Sequence, residues 1–286
     1  MIGLGTWLIP NEQAELITKD AINLGYKHID TAEIYRNEEG VGNALKSLSV
    51  QRDDIYITTK MWPGMSKQDE PYQTFDGAIK ACEQSLKSLQ LDEIDLYLIH
   101  NPFAKDNRLE LWEAMVELKK QGKVKYVGVS NYNVHHIQEI EESGIEMPSA
   151  NQIEIHPWHV IPTELAQYMD KHEILPIAYS TLAPIPNWRE GSRWNGKPED
   201  MKSGSMPCQD IADNYNVTVP QLFLKWAIQL GYPVLPKSVK YDRLKENLEL
   251  NHFEISREDI KKISKIAKDN QKCLAWSGDF DPLEVE

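Results

Sequence analysis

Short β-rich runs alternate along this chain with amphipathic helical stretches, and that alternation limits the possible folds more than any other feature. The runs are residues 26–30, 55–60, 96–100, 126–131, 151–155, 176–180 and 232–237, with a weaker one at 248–253. Between them apolar residues recur at helical spacing, as in Ala14, Ile17, Ala21 and Leu24 before Gly25, or Leu111, Trp112, Met115 and Val116 before Gly122. Parallel strands need a crossover between neighbours. Eight strand–helix units in 286 residues therefore predict an α/β fold, a (β/α)8 TIM barrel whose eight-stranded parallel sheet carries long loops at its carboxyl face. An open, doubly wound sheet is the alternative. It lacks its signature here, because no GxGxxG follows the first run and Gly3-Leu4-Gly5 precedes it.

The whole chain, 1–286, reads as a single barrel domain, with no internal repeat beyond the alternation and no Pro- or Ser-rich linker. Two segments stand apart. From about 181 to 206 the composition shifts to Pro, Gly, Ser, Trp and charge, which predicts a functional cover folded back onto the barrel by Trp188 and Trp194. From about 269 to 286 runs a tail that includes Cys273-Leu274-Ala275-Trp276 and Asp279-Phe280-Asp281-Pro282. With 41% hydrophobic and 26% charged residues the chain is globular in composition, neither disordered nor fibrous. No run approaches the ~18 apolar residues of a membrane span, and the first residues lack the pattern of a secretion signal. A cytoplasmic protein without membrane attachment is expected. The excess of 44 acidic over 31 basic residues gives a net charge of −13, which repels nucleic acid and anionic membranes, so any anion site must be local. The three cysteines Cys82, Cys208 and Cys273 show no CxxC spacing, as in a reducing compartment, and read as small buried hydrophobes.

In a barrel the chemistry gathers at the carboxyl ends of the strands. The first run ends in Asp30 with Tyr35 five residues on, the second in Lys60 and the third in His100. These four form an acid–base set without a nucleophile. A lysine ammonium beside a phenol stabilises the phenolate, a carboxylate keeps that lysine charged and aimed, and a histidine can orient a carbonyl. Such a set protonates a carbonyl oxygen while a separate hydride donor attacks the carbon. An aldolase or isomerase with Lys60 as a Schiff-base amine is another barrel chemistry these residues allow. Elsewhere, Lys237, Lys240, Arg243 and Lys245 surround one acid, Asp242, which reads either as a solvated helix face or, in so acidic a chain, as a local cationic site of the sort a phosphate needs. His28 shares a strand face with Asp30 and reads as filling a barrel layer. Glu154, His156 and His159 have short ligand-like spacing.

Gly25-Tyr26-Lys27-His28-Ile29-Asp30-Thr31-Ala32-Glu33-Ile34-Tyr35-Arg36-Asn37-Glu38 closely resembles the first signature of the aldo-keto reductases, and Gly3-Leu4-Gly5-Thr6-Trp7 matches what precedes it. Leu91-Asp92-Glu93-Ile94-Asp95-Leu96-Tyr97-Leu98-Ile99-His100 resembles the second signature, and Leu235-Pro236-Lys237-Ser238 with Arg243, Glu246 and Asn247 the third. The resemblance spans about residues 2–268. It implies an NADPH-dependent oxidoreductase that reduces aldehydes or ketones to alcohols, with NADP(H) preferred over NAD(H) and a small-molecule carbonyl substrate. By the same resemblance Tyr35 is the general acid, Lys60 and Asp30 its tuning pair, and His100 the substrate-orienting residue. Ser130, Asn131 and Gln152 would hold the nicotinamide carboxamide and Tyr179 would stack on its ring. Ser180 and Leu182 would follow the pyrophosphate. Lys237, Ser238 and Arg243 would bind the 2′-phosphate, with Glu246 and Asn247 near the adenine. Trp7 and Trp62, with His100, would line the substrate pocket. Gln-x-Glu-x-His-Pro is an ordinary stretch of that family, so no metal is expected at Glu154, His156 and His159.

Several departures limit the transfer. Asn101-Pro102 stands where many relatives have Trp-Pro, which removes one aromatic wall and shifts preference toward polar substrates. Thr181 replaces a common Pro, and the hairpin that often closes the barrel floor is curtailed before Gly3. The alternative function is a non-catalytic, NADPH-binding regulatory subunit of the same fold. A monomer or weak oligomer is expected.

Overall fold

The computed structural model describes residues 1–48, 50–64, 73–185, 208–276 and 280–285. Seven parallel strands follow one another around a sheet in chain order, each paired with its sequence neighbours. They are β1 (Leu4–Gly5), β2 (His28–Asp30), β3 (Tyr56–Met61), β4 (Ile94–Ile99), β5 (Val124–Ser130), β6 (Ala150–Glu154) and β7 (Leu175–Tyr179). Val234 closes the ring, bridging Ile2 beside β1 on one side and Ala178 of β7 on the other. Gly3 and Gly5 donate to the Val234 and Pro236 carbonyls at 2.9 and 3.0 Å across this seam. The expected parallel barrel is therefore present, with three changes in its staves. Gly3-Leu4-Gly5, read as preceding the first strand, supplies β1. The run 232–237 shrinks to a single bridge because Pro233 and Pro236 have no N–H to give a ladder. No strand forms at 248–253, where the chain leaves a helix and turns.

The helices are α1 (Asn11–Leu24), α2 (Glu38–Ser47), α3 (Phe75–Leu89), α4 (Arg108–Lys120), α5 (Val134–Ser143) and α6 (Thr163–Lys171). After the covering-loop region come α7 (Gln209–Asn214), α8 (Val219–Gln229), α9 (Tyr241–Leu248) and α10 (Arg257–Asn270). Helix α1 stops where the sequence says, since Gly25 takes a φ of 109° that an L side chain resists and its N–H caps the Ala21 and Ile22 carbonyls. No helix among the described residues is long and apolar enough to cross a membrane. Of the expected loop at 181–206, residues 186–206 with Trp188 and Trp194 lie outside the described residues.

Strand alternation sorts the barrel into two shells. Tyr97, Ile99, Ile57 and Ile29 point outward into the large core shared with the helices. Leu96, Leu98, Ala150, Ile177 and Leu235 form a separate apolar plug within the barrel, with Tyr56 against it. Asp30, Lys60, His100 and Gln152 occupy the same inward register further toward the carboxyl ends. The plug thus forms a dry floor for a polar mouth.

His28 fills a layer of this interior, its Nε2 2.9 Å from the Thr58 hydroxyl and its ring edge-on to Tyr56. Burial, with the Lys60 charge adding to it against Asp30, holds the imidazole down to about 4. It is neutral when folded and binds a proton more readily when unfolded. Stability from this group is present above the unfolded value of 6.5 and is lost as pH falls toward about 4. Urea midpoints measured across that range should fall less steeply with acidification in His28→Gln than in the wild type.

Gly128 lies in β5 between β4 and β6, and a Cβ there would sit 2.6 Å from the Ala150 carbonyl oxygen and 2.8 Å from the Leu98 side chain. Backbone cannot yield as a flexible side chain would. Gly128→Ala should cost about 1–3 kcal/mol by overpacking, read as a lower urea midpoint without a change in the slope of the transition.

Candidate active site

Asp30 ends β2 and Lys60 sits one residue before the end of β3, so pairing of these strands aims both side chains at the same point. Lys60 Nζ donates to Asp30 Oδ1 at 2.6 Å and to the Thr31 carbonyl at 2.7 Å. The lysine side chain is wholly buried and that of Asp30 is 5% exposed. Burial lowers the Lys60 pKa, and the adjoining Asp30 carboxylate works against that by favouring the ammonium. The second Asp30 oxygen accepts from Gln152 Nε2 at 2.7 Å, which ties β2 to β6 across the mouth.

Tyr35 is carried by a single 3-10 turn, Glu33–Tyr35, that follows β2. The loop is fixed by Asn37, which is fully buried: its Oδ1 accepts from Thr31 Oγ1 at 2.8 Å and its amide donates to the Thr6 and Ile9 carbonyls. Glu33 and Glu38 add two more tethers, accepting from the Trp62 N–H and the Thr59 hydroxyl at 3.1 and 2.6 Å. Held in this way, the Tyr35 ring lies with its centroid 5.2 Å from Lys60 Nζ and 5.6 Å from the edge-on His100 ring. Burial and then the Lys60 charge push the His100 pKa well below the usual imidazole range, so it is neutral. Trp62 stands edge-on to His100 with ring centroids 5.1 Å apart, and Trp7 is 6.4 Å from Tyr35. The four expected chemical groups and both tryptophans therefore converge on one mouth.

The residues expected to hold the carboxamide are adjacent to them. Ser130 Oγ donates to the Gln152 carbonyl at 2.8 Å. Asn131 takes a φ of +65°, a region asparagine tolerates better than most residues, and this turns its amide back onto the barrel, where it donates to the His100 carbonyl and Ser130 Oγ. Tyr179, at the end of β7, donates its hydroxyl proton to Asn131 Oδ1 at 2.7 Å. Ser180 follows with a φ of +54° and with Leu182 starts the segment over β7. The remaining residues form a second group. Lys237 and Ser238 lead into α9, where Ser238 Oγ accepts from the Lys240 N–H at 3.1 Å, and the exposed Arg243 lies in the first turn. The N-cap residue of that helix, Lys240, makes no side-chain capping bond. Glu246 accepts from the Thr218 hydroxyl, and Asn247 is buried near the Tyr26 phenol, which donates to the Leu244 carbonyl at 3.0 Å.

Sequence reasoning missed how the tail completes this mouth. Trp276 Nε1 donates to the Tyr179 hydroxyl at 2.9 Å, and Trp276, Phe103 and Phe280 form an edge-to-face cluster with centroids 5.7–5.9 Å apart. Asn101 is fully buried; its Oδ1 accepts from the Phe103 N–H at 3.0 Å, and its Nδ2 has no hydrogen-bond partner among the described residues. Glu154, the last residue of β6, anchors the tail: it accepts from His156 Nε2, Cys273 Sγ and the N–H groups of Leu274 and Ala275. Burial alone would raise its pKa, but the His156 hydrogen bond and the neighbouring imidazoles hold the carboxyl at about 2. The signal was a carboxylate inside a β-rich run. Its partners lie about 120 residues downstream, beyond any local pattern.

The chain matches the model of the Aldo/keto reductase family over residues 1–268. It is 38% identical over 268 residues to the methylglyoxal reductase DkgA of Escherichia coli, covering 93% of this chain and 88% of that one. It is also 38% identical to the glyoxal reductase of Bacillus subtilis, covering 94% and 89%. A Bombyx mori aldo-keto reductase solved in complex with NADP superposes with a TM-score of 0.79 at 29% identity, over 93% of this chain and 88% of that one. A family match along nearly the whole chain, and relatives above the level at which fold and family coincide, lead to one conclusion: this protein belongs to the aldo/keto reductase family.

Proposed function

We propose that this protein reduces aldehydes or ketones to alcohols with NADPH. The observation that carries the reading is the Tyr35 ring set between the buried Lys60–Asp30 ion pair and an edge-on, neutral His100 at one barrel mouth. The residues present fit NADP(H). Ser130, Asn131 and Gln152 offer hydroxyl and amide groups that suit a carboxamide, and the Tyr179 ring is half-buried beside them. At the start of α9, where Lys240 makes no side-chain capping bond, backbone N–H groups with Lys237, Ser238 and Arg243 suit a phosphate monoester. That pairing favours the 2′-phosphorylated cofactor over its unphosphorylated form. When bound, NADPH supplies the hydride that adds to the carbonyl carbon.

The protein's own groups act on the oxygen. Neutral His100 donates a hydrogen bond that aims the carbonyl, and Tyr35 gives its proton as negative charge develops there. The Lys60 ammonium then stabilises the phenolate left behind, with Asp30 keeping Lys60 charged against the cost of its burial. Trp7 and Trp62 give the substrate apolar walls. The names of the E. coli and B. subtilis relatives make methylglyoxal and glyoxal the first substrates to assay.

Tyr35→Phe should lower kcat for carbonyl reduction by about 10²–10⁴-fold while NADPH still binds, measured by loss of absorbance at the cofactor band and by fluorescence titration. Tight NADPH binding by the wild type with no turnover of any aldehyde or ketone would instead support the regulatory-subunit reading. Arg243→Leu should weaken NADPH about 10- to 100-fold, the worth of one charge-assisted hydrogen bond, and leave NADH affinity unchanged. Equal losses for both cofactors would remove Arg243 from the phosphate site.

A further inference from the structure

Outside the reaction chemistry, one cluster brings together three different metal-binding groups. His159 Nε2, Cys273 Sγ and an Asp281 carboxylate oxygen lie within 4.8 Å of one another. They come from two places, the connection between β6 and α6 and both ends of the described tail. His159 is 1% exposed and Asp281 13% exposed, so the set is not a patch of surface acids.

The ring of His159 is already oriented as a ligand's would be. Its Nδ1 donates to the Glu154 backbone carbonyl at 2.8 Å, which leaves Nε2 as the nitrogen that faces Cys273 and Asp281. A backbone carbonyl on the far nitrogen is the usual support for a metal-bound imidazole. At present protons hold the cluster together: Nε2 is 2.7 Å from Asp281 Oδ2, and the Cys273 thiol donates to Glu154 Oε2 at 3.0 Å. The surroundings are anionic, with Glu154 and Asp281 both against the sulfur. Burial first, and then those two carboxylates, raise the Cys273 pKa. The same field attracts a dication.

We propose that His159, Cys273 and Asp281 form a zinc site that staples the tail to the barrel. Imidazole nitrogen, thiolate sulfur and carboxylate oxygen are zinc's ordinary donors, and the fourth tetrahedral position goes to water. The exchange balances: Zn²⁺ enters, the thiol and imidazolium protons leave to solvent, and the thiolate and carboxylate neutralise the ion with no change of oxidation state. The expectation of no metal rested on Glu154, His156 and His159, a stretch that contains one of these three ligands. The other two arrive only when the tail docks. Because residues 273 and 281 flank Trp276, whose indole holds the Tyr179 hydroxyl, metal at this site fixes the tail where it meets the mouth. The proposal does not depend on the assigned reaction.

The test is a titration of tag-free, chelator-treated full-length protein with Co²⁺ alone, followed by displacement with Zn²⁺. One equivalent should bind with tetrahedral visible bands and a near-ultraviolet thiolate-to-cobalt band, and Zn²⁺ should remove both. Cys273→Ser should abolish the near-ultraviolet band and, like Asp281→Asn, weaken metal binding by about tenfold or more, with far-ultraviolet circular dichroism unchanged. Cys208→Ser should leave the titration as in the wild type. Absence of a thiolate band at stoichiometric cobalt, or its persistence in Cys273→Ser, would overturn the assignment.

Discussion

A fully buried ammonium governs the arrangement of this molecule. Lys60 is taken completely out of water, and that is tolerable only because Asp30 and the Thr31 carbonyl meet it at 2.6 and 2.7 Å. Removing one partner of such a pair typically costs about 3–5 kcal/mol. The requirement propagates outward. Asp30 must also accept from Gln152, which draws β6 toward β2, and the Thr31 region must hold its shape, which Asn37 secures. The 3-10 turn bearing Tyr35 hangs from that same loop. The pair also bears on the charge state of its neighbour: burial first, and then the Lys60 charge, keep His100 neutral, so it can act only by hydrogen bonding.

Much of this was legible in the chain because barrels translate sequence into geometry simply. A residue at the end of a parallel strand points to the mouth, so Asp30, Lys60 and His100 could be gathered from strand ends alone. The closing of the ring was harder to read. Residues 232–237 look like a strand by composition, yet two prolines leave only Val234 to bridge both neighbours, and the two-residue β1 is too short to show any alternation. The aromatic cluster was hard to read for another reason. Phe103, Trp276 and Phe280 gather from segments far apart in sequence, beyond any local pattern.

Glu154 shows the limit of local reading most clearly. A carboxylate in an inward strand position near two histidines has the appearance of a ligand or a catalytic acid. Its actual work is to receive the tail, with two backbone N–H groups, a thiol and an imidazole directed at it. A buried carboxylate with so many donors stays ionised and needs every one of them. The tail in turn delivers Trp276 to Tyr179 and Asp281 to His159. Docking of the last residues is thus connected through hydrogen bonds to the Asn131 amide beside His100.

The central claim is that the charge on Lys60 assists proton transfer from Tyr35. Single-turnover reduction of a carbonyl substrate by NADPH-loaded Lys60→Met, which keeps the length of the side chain and removes its charge, tests this most directly. The account predicts hydride transfer slower by about 10²-fold or more with NADPH affinity and circular dichroism unchanged. A rate within a few-fold of the wild type would contradict it.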